Sequence, residues 1–311
     1  MRASGREIDL RVSTVPTQFG ESAVLRILDR SSTMIGLEEL GFPEADLTLF
    51  DKAVHRPNGV LMVTGPTGSG KTTTLYAALS IINNPDLKII TVEDPIEYHL
   101  PGITQIQVKP EIDLTFASGL RSIVRQDPDV IMIGEIRDLE TADIAVQSAL
   151  TGHLVLSTIH TNDAPSTVTR LVEMGVEPYL ISSCLNFAMA QRLVRTICPH
   201  CREKTIVTAE VLEEAGIANP EGIESFQVFE GAGCKYCRNT GYAGRVAIFE
   251  LMNVTPELKT LMGQKVSSVE LRNVALRSGM RSLRDDGWQK VLQGITTLDE
   301  VLRTTQEEDL E

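Results

Sequence analysis

The stretch Val60-Leu61-Met62-Val63-Thr64-Gly65-Pro66-Thr67-Gly68-Ser69-Gly70-Lys71-Thr72-Thr73-Thr74-Leu75-Tyr76-Ala77-Ala78-Leu79 passes from an apolar run through a glycine-rich turn into a helix-forming sequence. Its middle, Gly65 to Thr72, matches G-x-x-x-x-G-K-[ST] without departure, and the flanking strand and helix are the context that motif requires. Glycines let backbone N–H groups turn inward around phosphate oxygens, and the new helix points its positive end at them. Lys71 is then in reach of β- and γ-phosphates, and the Thr72 hydroxyl can ligate Mg²⁺. Gly65, Pro66, Thr67, Gly68, Ser69, Gly70, Lys71, Thr72 and Thr73 are the candidate nucleotide-binding residues, and a nucleoside triphosphate site in an α/β domain is the expectation.

The 311 residues, 42% hydrophobic, suffice for one large α/β domain with smaller attachments. No apolar run approaches the ~18 residues of a membrane span. Met1-Arg2-Ala3-Ser4-Gly5-Arg6 leads into no signal-peptide core. A cytoplasmic protein without direct membrane insertion is therefore expected. The net charge of −13 argues against a nucleic-acid partner, because neutralising phosphates takes a basic stripe. Cys198-x-x-Cys201 and Cys234-x-x-Cys237 have the spacing of a tetrahedral Zn²⁺ site, which a reducing compartment favours over disulfides. The remaining Cys184 lies in an apolar run and reads as an inert, partly buried thiol.

Along the chain, residues 8–12 and 22–28 alternate like strands around a turn at Pro16 to Gly20. Two strands alone are marginal in water, so they are expected to finish a sheet begun upstream in a longer protein. Arg11 and Arg26 sit on them and, taken alone, read as edge arginines. A helix is expected over Asp46 to Val54 and a buried strand over Lys88 to Val92, followed by Glu93, Asp94 and Glu97. C-terminal ends of parallel strands face one crevice, which places these acids beside the phosphates. One would orient or deprotonate the attacking water and others would hold metal-bound waters, a helix cap being the alternative for Asp94. Residues 103–109 suit an edge strand. Arg121 and Arg125 share a helix face at i, i+4, either solvated or toward a phosphate or a neighbouring subunit. Asp129 to Glu135 resembles a Walker-B strand ending in an acid near the Mg²⁺ shell. His153 and His160 bound a fourth strand, and His160, at its C-terminal end, is placed to sense a γ-phosphate unless it is structural. Helices are expected through Leu171 to Met174 and over Tyr179 to Arg192. The cysteine segment, 198 to about 245, has a small core of its own, so metal should supply much of its folding energy. Arg245 to Glu250 returns to the main body, and Thr255 to Thr305 suggests three or four short amphipathic helices.

Together the motifs resemble one family, the secretion-superfamily ATPases of the GspE/PilB type, which power type II secretion and type IV pilus assembly. Gly65 to Thr72 resembles its Walker A, Thr91 to Glu97 its Asp box, Ile133 to Asp138 its Walker B, and Gly152-His153 through His160 to Asp163 its His box. The tetracysteine, with Gly241-Tyr242-Ala243-Gly244-Arg245 after it, resembles the assembly and secretion branch and is missing from the pilus-retraction branch. The resemblance implies a RecA-like P-loop core at 36–197, preceded at 1–35 by the end of a PAS-like α/β domain and linker. A zinc-binding insertion at 198–245 and C-terminal helices at 246–311 would follow. It further implies a homohexamer using ATP, Mg²⁺ and Zn²⁺, with Glu97 activating water and Glu135 and Thr72 acting on Mg²⁺. Lys71 and His160 would serve the phosphates directly, and Arg11 and Arg26 would approach them across domains. The implied role is pilin polymerisation for a type IV pilus, with type II secretion as the alternative and DNA translocation a more distant one. An inner-membrane platform protein and a cytoplasmic adaptor are the implied partners, making the protein peripheral at the inner membrane. The family's far N-terminal domain and the first part of its second domain have no counterpart in this sequence.

Overall fold

A computed structural model describes residues 2–3, 6–29, 35–217, 219 and 222–305; the side chains of residues 2, 3, 6–9, 11 and 26–29 lie outside that description. β1 (Arg2–Ala3), β2 (Arg6–Thr17) and β3 (Gly20–Asp29) form an antiparallel sheet in that order. Pairing runs from Ile8 with Asp29 to Thr17 with Gly20, so both strands are longer than their alternation suggests and the turn shortens to Gln18-Phe19. Arg11 and Arg26 are direct cross-strand partners, and their side chains fall outside the described residues.

The remaining chain alternates helix and strand. α1 (Glu44–Val54) starts after Pro43 and buries Phe50, Ala53 and Val54. There follow β4 (Gly59–Thr64), α2 (Lys71–Ile82), β5 (Ile89–Glu93), β6 (Thr104–Gln107), α3 (Phe116–Ile123), β7 (Val130–Ile133), α4 (Leu139–Leu150) and β8 (Leu154–Ile159). Then come α5 (Ser166–Glu173), α6 (Pro178–Cys184), β9 (Leu185–Ile197), β10 (Arg202–Thr208), α7 (Ala209–Glu214), β11 (Ser225–Gly231) and β12 (Tyr242–Asn253). α8 (Pro256–Met262), α9 (Ser268–Arg277), α10 (Leu283–Leu292) and α11 (Leu298–Thr305) complete it.

Among the described residues the main sheet has seven strands in the order β12-β9-β4-β8-β7-β5-β6. From β9 to β6 all neighbours are parallel, and β12 runs antiparallel on the β9 edge. β4, β5, β7 and β8 are buried along their whole length. A parallel sheet covered on both faces requires such unbroken apolar runs. Val60 and Met62 pack toward α3, α4 and α5, while Leu61 and Val63 pack toward α1 and α2. β8 separates β4 from β7, so the glycine-rich turn and the acid after β7 stand one strand apart, with the end of β8 between them.

Two expectations need correction. The helix expected to Arg192 stops at Cys184, and residues 185–197 are β9. Helix-forming Leu, Ala, Met and Gln yield there to pairing on both sides, parallel to β4 and antiparallel to β12. The cysteine segment does not stand on a small core of its own. Its β10–β11 hairpin and α7 share a cluster, Leu212, Ile217 and Val228, with Trp288, Val291, Leu298 and Val301 of α10 and α11.

α10 is tied to the sheet through Asp286, whose carboxylate also forms a buried ion pair with Lys290 of the same helix. Lys290 Nζ lies 2.5 Å from Asp286 Oδ2, which also accepts the Phe249 N–H at 2.9 Å. The two residues are 4% and 0% exposed, and burial pushes the carboxyl up and the amine down from their ordinary pKa values. Asp286→Ala should cost about 3–5 kcal/mol, since it strands a buried ammonium. The joint change Asp286→Leu with Lys290→Met should cost less, about 1–3 kcal/mol at most, because no charge is stranded and only the Phe249 N–H loses its acceptor. Urea midpoints of the two variants check this; equal losses would refute it.

Candidate functional site

The turn between β4 and α2 is glycine-rich because its backbone demands it. Gly65, Gly68 and Gly70 all have positive φ, at 139°, 82° and 92°. A Cβ on Gly65 would also stand 2.4 Å from the Gln191 carbonyl oxygen of β9. Lys71 Nζ donates to Gly65 O at 2.7 Å and Pro66 O at 3.0 Å, which holds the ammonium over the turn. Burial lowers its pKa to about 8, against the pull of Glu135 and with the push of Arg192. Ser69 Oγ is buried with no hydrogen-bond partner among the described residues, a donor that a phosphate oxygen would satisfy. Thr67 to Thr73 line one side of a cleft of about 510 Å³.

The opposite wall comes from the C-terminal ends of β5, β7 and β8. Glu135, placed by β7, lies 2.5 Å from Arg137 Nη2 and 3.5 Å from His160 Nε2; its side chain is 13% exposed, while both partners are open to solvent. The Thr158 hydroxyl donates to Gly134 O at 2.7 Å, and Ile136 N–H donates to Thr158 O at 2.9 Å, pinning the Glu135 segment to β8. The end of β8 is pinned in turn to β4, with the Thr64 hydroxyl donating to Ile159 O at 2.9 Å and accepting Thr161 N–H at 2.7 Å. His160 therefore reaches the cleft beside Glu135, whereas His153 Nδ1 sits 2.8 Å from Ser148 O at the far end of β8 and is structural.

Asp94 and Glu97 line the cleft as expected. Glu93 lines it as well, but it is 2% exposed, and its carboxylate already accepts from Tyr76, Thr91 and Gln105. A carboxylate so fully engaged holds the loop; it is not open for a metal-bound water. Arg121 pairs with the exposed Glu140 and is part of a solvated face. Three further residues line the cleft although the sequence assigned none of them to the phosphates: Arg137 from the Ile133–Asp138 stretch, Leu193 of β9 and Arg245 of β12. Arg245 arrives through the antiparallel pairing of β12 with β9, visible only once the two strands are known to meet.

The four cysteines of the hairpin segment form the second site. Their sulfurs all lie within 4.8 Å of one another. Cys198–Cys234, Cys201–Cys237 and Cys234–Cys237 are separated by 3.9, 3.8 and 3.7 Å. Tetrahedral thiolates about 2.3 Å from zinc stand about 3.8 Å apart, far beyond a disulfide's ~2.05 Å. Burial works against a Cys237 thiolate, yet the amides of Cys234 and Gly241 at 3.1 and 3.3 Å and the neighbouring thiols bring its pKa down to about 6. The donor set suits a thiolate-bound metal.

Residues 1–303 match the family described as Type II/IV secretion system protein. This chain belongs to that family. Its relatives include the type IV pilus assembly ATPase PilB of Myxococcus xanthus (strain DK1622), 52% identical over 302 residues, which are 97% of this chain and 53% of that protein. Type II secretion system protein E of Pseudomonas aeruginosa is 51% identical over 308 residues, 99% of this chain and 61% of that protein. The chain thus spans between about half and three-fifths of these family members. The crystal structure of the pilus retraction motor PilT with bound ADP superposes with a TM-score of 0.70 at 27% identity, covering 97% of this chain and 75% of that one. The family read from the motifs is the one matched, and the α/β fold is shared with that solved structure. No helix among the described residues is long and apolar enough to cross a membrane.

Proposed function

We propose that this chain is the motor portion of a homohexameric ATPase that couples ATP hydrolysis to pilin polymerisation in type IV pilus assembly. The observation that carries the reading is the convergence of Lys71, Thr72, Glu97, Glu135 and His160 on one cleft. The turn's N–H groups and Lys71 bind the phosphates, Glu97 takes a proton from the attacking water, and His160, held beside Glu135, senses the terminal phosphate. Thr72 and Glu135 would hold Mg²⁺, which supplies positive charge to the phosphate oxygens. Arg11 and Arg26 approach the phosphates from the 1–35 region, so nucleotide binding and release move that region against the 36–197 core. The 198–245 segment holds structural Zn²⁺ through Cys198, Cys201, Cys234 and Cys237, and 246–311 is the motor's helical part. The partners are an inner-membrane platform protein and a cytoplasmic adaptor, which keep a cytoplasmic protein peripheral at that membrane.

A type II secretion motor is the second reading, favoured by the relative of that system at nearly the same identity. Neighbouring pilin genes, as against secretin and pseudopilin genes, separate the two. DNA translocation fits poorly with a net charge of −13. The test is an ATPase assay run beside size-exclusion mass measurement with and without a non-hydrolysable ATP analogue. Turnover, unstimulated by DNA, and a shift to a six-subunit mass are expected; a monomer without turnover in the presence of Mg²⁺ would sink the proposal.

A further inference from the structure

We infer that Tyr76, Gln105 and Glu93 are positioning residues that hold the loop carrying Glu97; the inference rests on the role proposed for Glu97. Glu93 ends β5 at the wall of the cleft, 2% exposed. Its Oε2 accepts from the Tyr76 hydroxyl, and its Oε1 accepts from the Thr91 hydroxyl at 2.6 Å and from Gln105 Nε2 at 3.2 Å. Both Tyr76 and Gln105 reach onward to the next loop. The Glu97 N–H donates to Tyr76 Oη at 3.2 Å, the Leu100 N–H donates to Gln105 Oε1 at 2.8 Å, and Gln105 Nε2 also donates to Tyr98 O at 3.0 Å. Three backbone atoms of one loop are therefore gripped by two side chains that share one buried carboxylate.

The chemistry favours the grip. A phenol that donates a hydrogen bond to a carboxylate becomes a better acceptor, so Glu93 strengthens the hold on the Glu97 amide. Burial, then Glu93 itself, push the Tyr76 pKa well above its ordinary value, which keeps the donating proton in place across the neutral range. Tyr76 stands on α2, the helix that begins at Lys71, and its ring meets Tyr98 edge-on at 5.5 Å. One rigid element thus sets both the phosphate-binding groups and the backbone of the acid that must face them.

The test uses the full chain. Tyr76→Phe keeps the ring and removes the hydroxyl, and Gln105→Ala cuts the second arm. Displacing a catalytic group by about 1 Å costs on the order of a hundredfold, so kcat should fall ten- to a hundred-fold in Tyr76→Phe. Gln105→Ala should show the same pattern with a smaller loss. KM and the affinity for a non-hydrolysable analogue should stay within about twofold of the parent, because the lost interaction matters only when water is attacked. A lower melting temperature with unchanged kcat, or a fall in kcat matched by weaker nucleotide binding, would assign Tyr76 to packing and overturn the inference. Full turnover in Tyr76→Phe beside an inactive Glu97→Gln overturns it alone; undiminished turnover in Glu97→Gln overturns both it and the role of Glu97.

Discussion

Glu135→Gln should lower steady-state ATP turnover by roughly two to three orders of magnitude while the protein stays folded and still binds nucleotide. The substitution conserves shape. Glutamine fills the same volume at the end of β7, and the bonds that pin this segment, Thr158 to Gly134 and Ile136 to Thr158, do not involve the side chain. What disappears is a negative charge in a sheltered position between Arg137 and His160. Loss of a fixed charge in the site acts on the transition state far more than on the fold, so the change belongs in kcat. The Lys71 amine registers the loss as well. Burial already lowers its pKa to about 8, and Glu135 is the neighbour that raises it. Without that carboxylate the ammonium gives up its proton at lower pH, so the alkaline limb of nucleotide affinity should shift toward neutrality. Turnover assays beside equilibrium binding of a fluorescent nucleotide from pH 6 to 10 read both effects; a variant with normal rates would remove Glu135 from the mechanism.

Much of this site was legible because its physics is local. Positive φ at Gly65 and Gly70 needs glycine at those points in the chain, and strands buried on both faces need unbroken apolar runs such as Ile131-Met132-Ile133. The metal-ligand spacing of the two cysteine pairs is equally local. The failures lie where the deciding partner is distant in sequence. Leu185 to Arg192 has helix-forming residues, and only β4 and β12 make it a strand. Glu93 looks like its neighbour Asp94, yet Tyr76 and Gln105 convert it from a solvent-facing acid into an anchor. Trp288 of α10 meets Phe226 of the hairpin edge-on at 5.3 Å, within a cluster whose hairpin and helix members lie some sixty residues or more apart in sequence, so no local pattern announces that the hairpin shares a core with α10 and α11.

That shared core decides what loss of zinc should do. Elemental analysis is expected to find one Zn²⁺ per chain, and Cys198→Ser or Cys237→Ser should release it. In isolated zinc-finger peptides binding supplies about 10–16 kcal/mol of folding free energy, and their apo forms are unfolded. Here Leu212, Ile217 and Val228 pack against α10 and α11 through apolar contacts that involve none of the cysteines, so the β10–β11 hairpin should remain attached. The damage should concentrate at the cysteine turns. Arg238 and Asn239 hold positive φ there, at 54° and 60°, and Gly231 and Gly241 come so close that a Cβ on Gly231 would stand 2.0 Å from the Gly241 carbonyl oxygen. Those turns are joined to the nucleotide cleft by β12, which runs from Tyr242 past Arg245. Protease cleavage near residues 198–203 and 232–241 should therefore accelerate by an order of magnitude or more, as expected when opening loses several kcal/mol of local protection. Nucleotide affinity should weaken only through Arg245, and turnover should persist at a reduced rate. Global unfolding of the serine variants would show that the hairpin core is too weak to stand without metal. Native protein free of zinc would discard the structural-metal assignment.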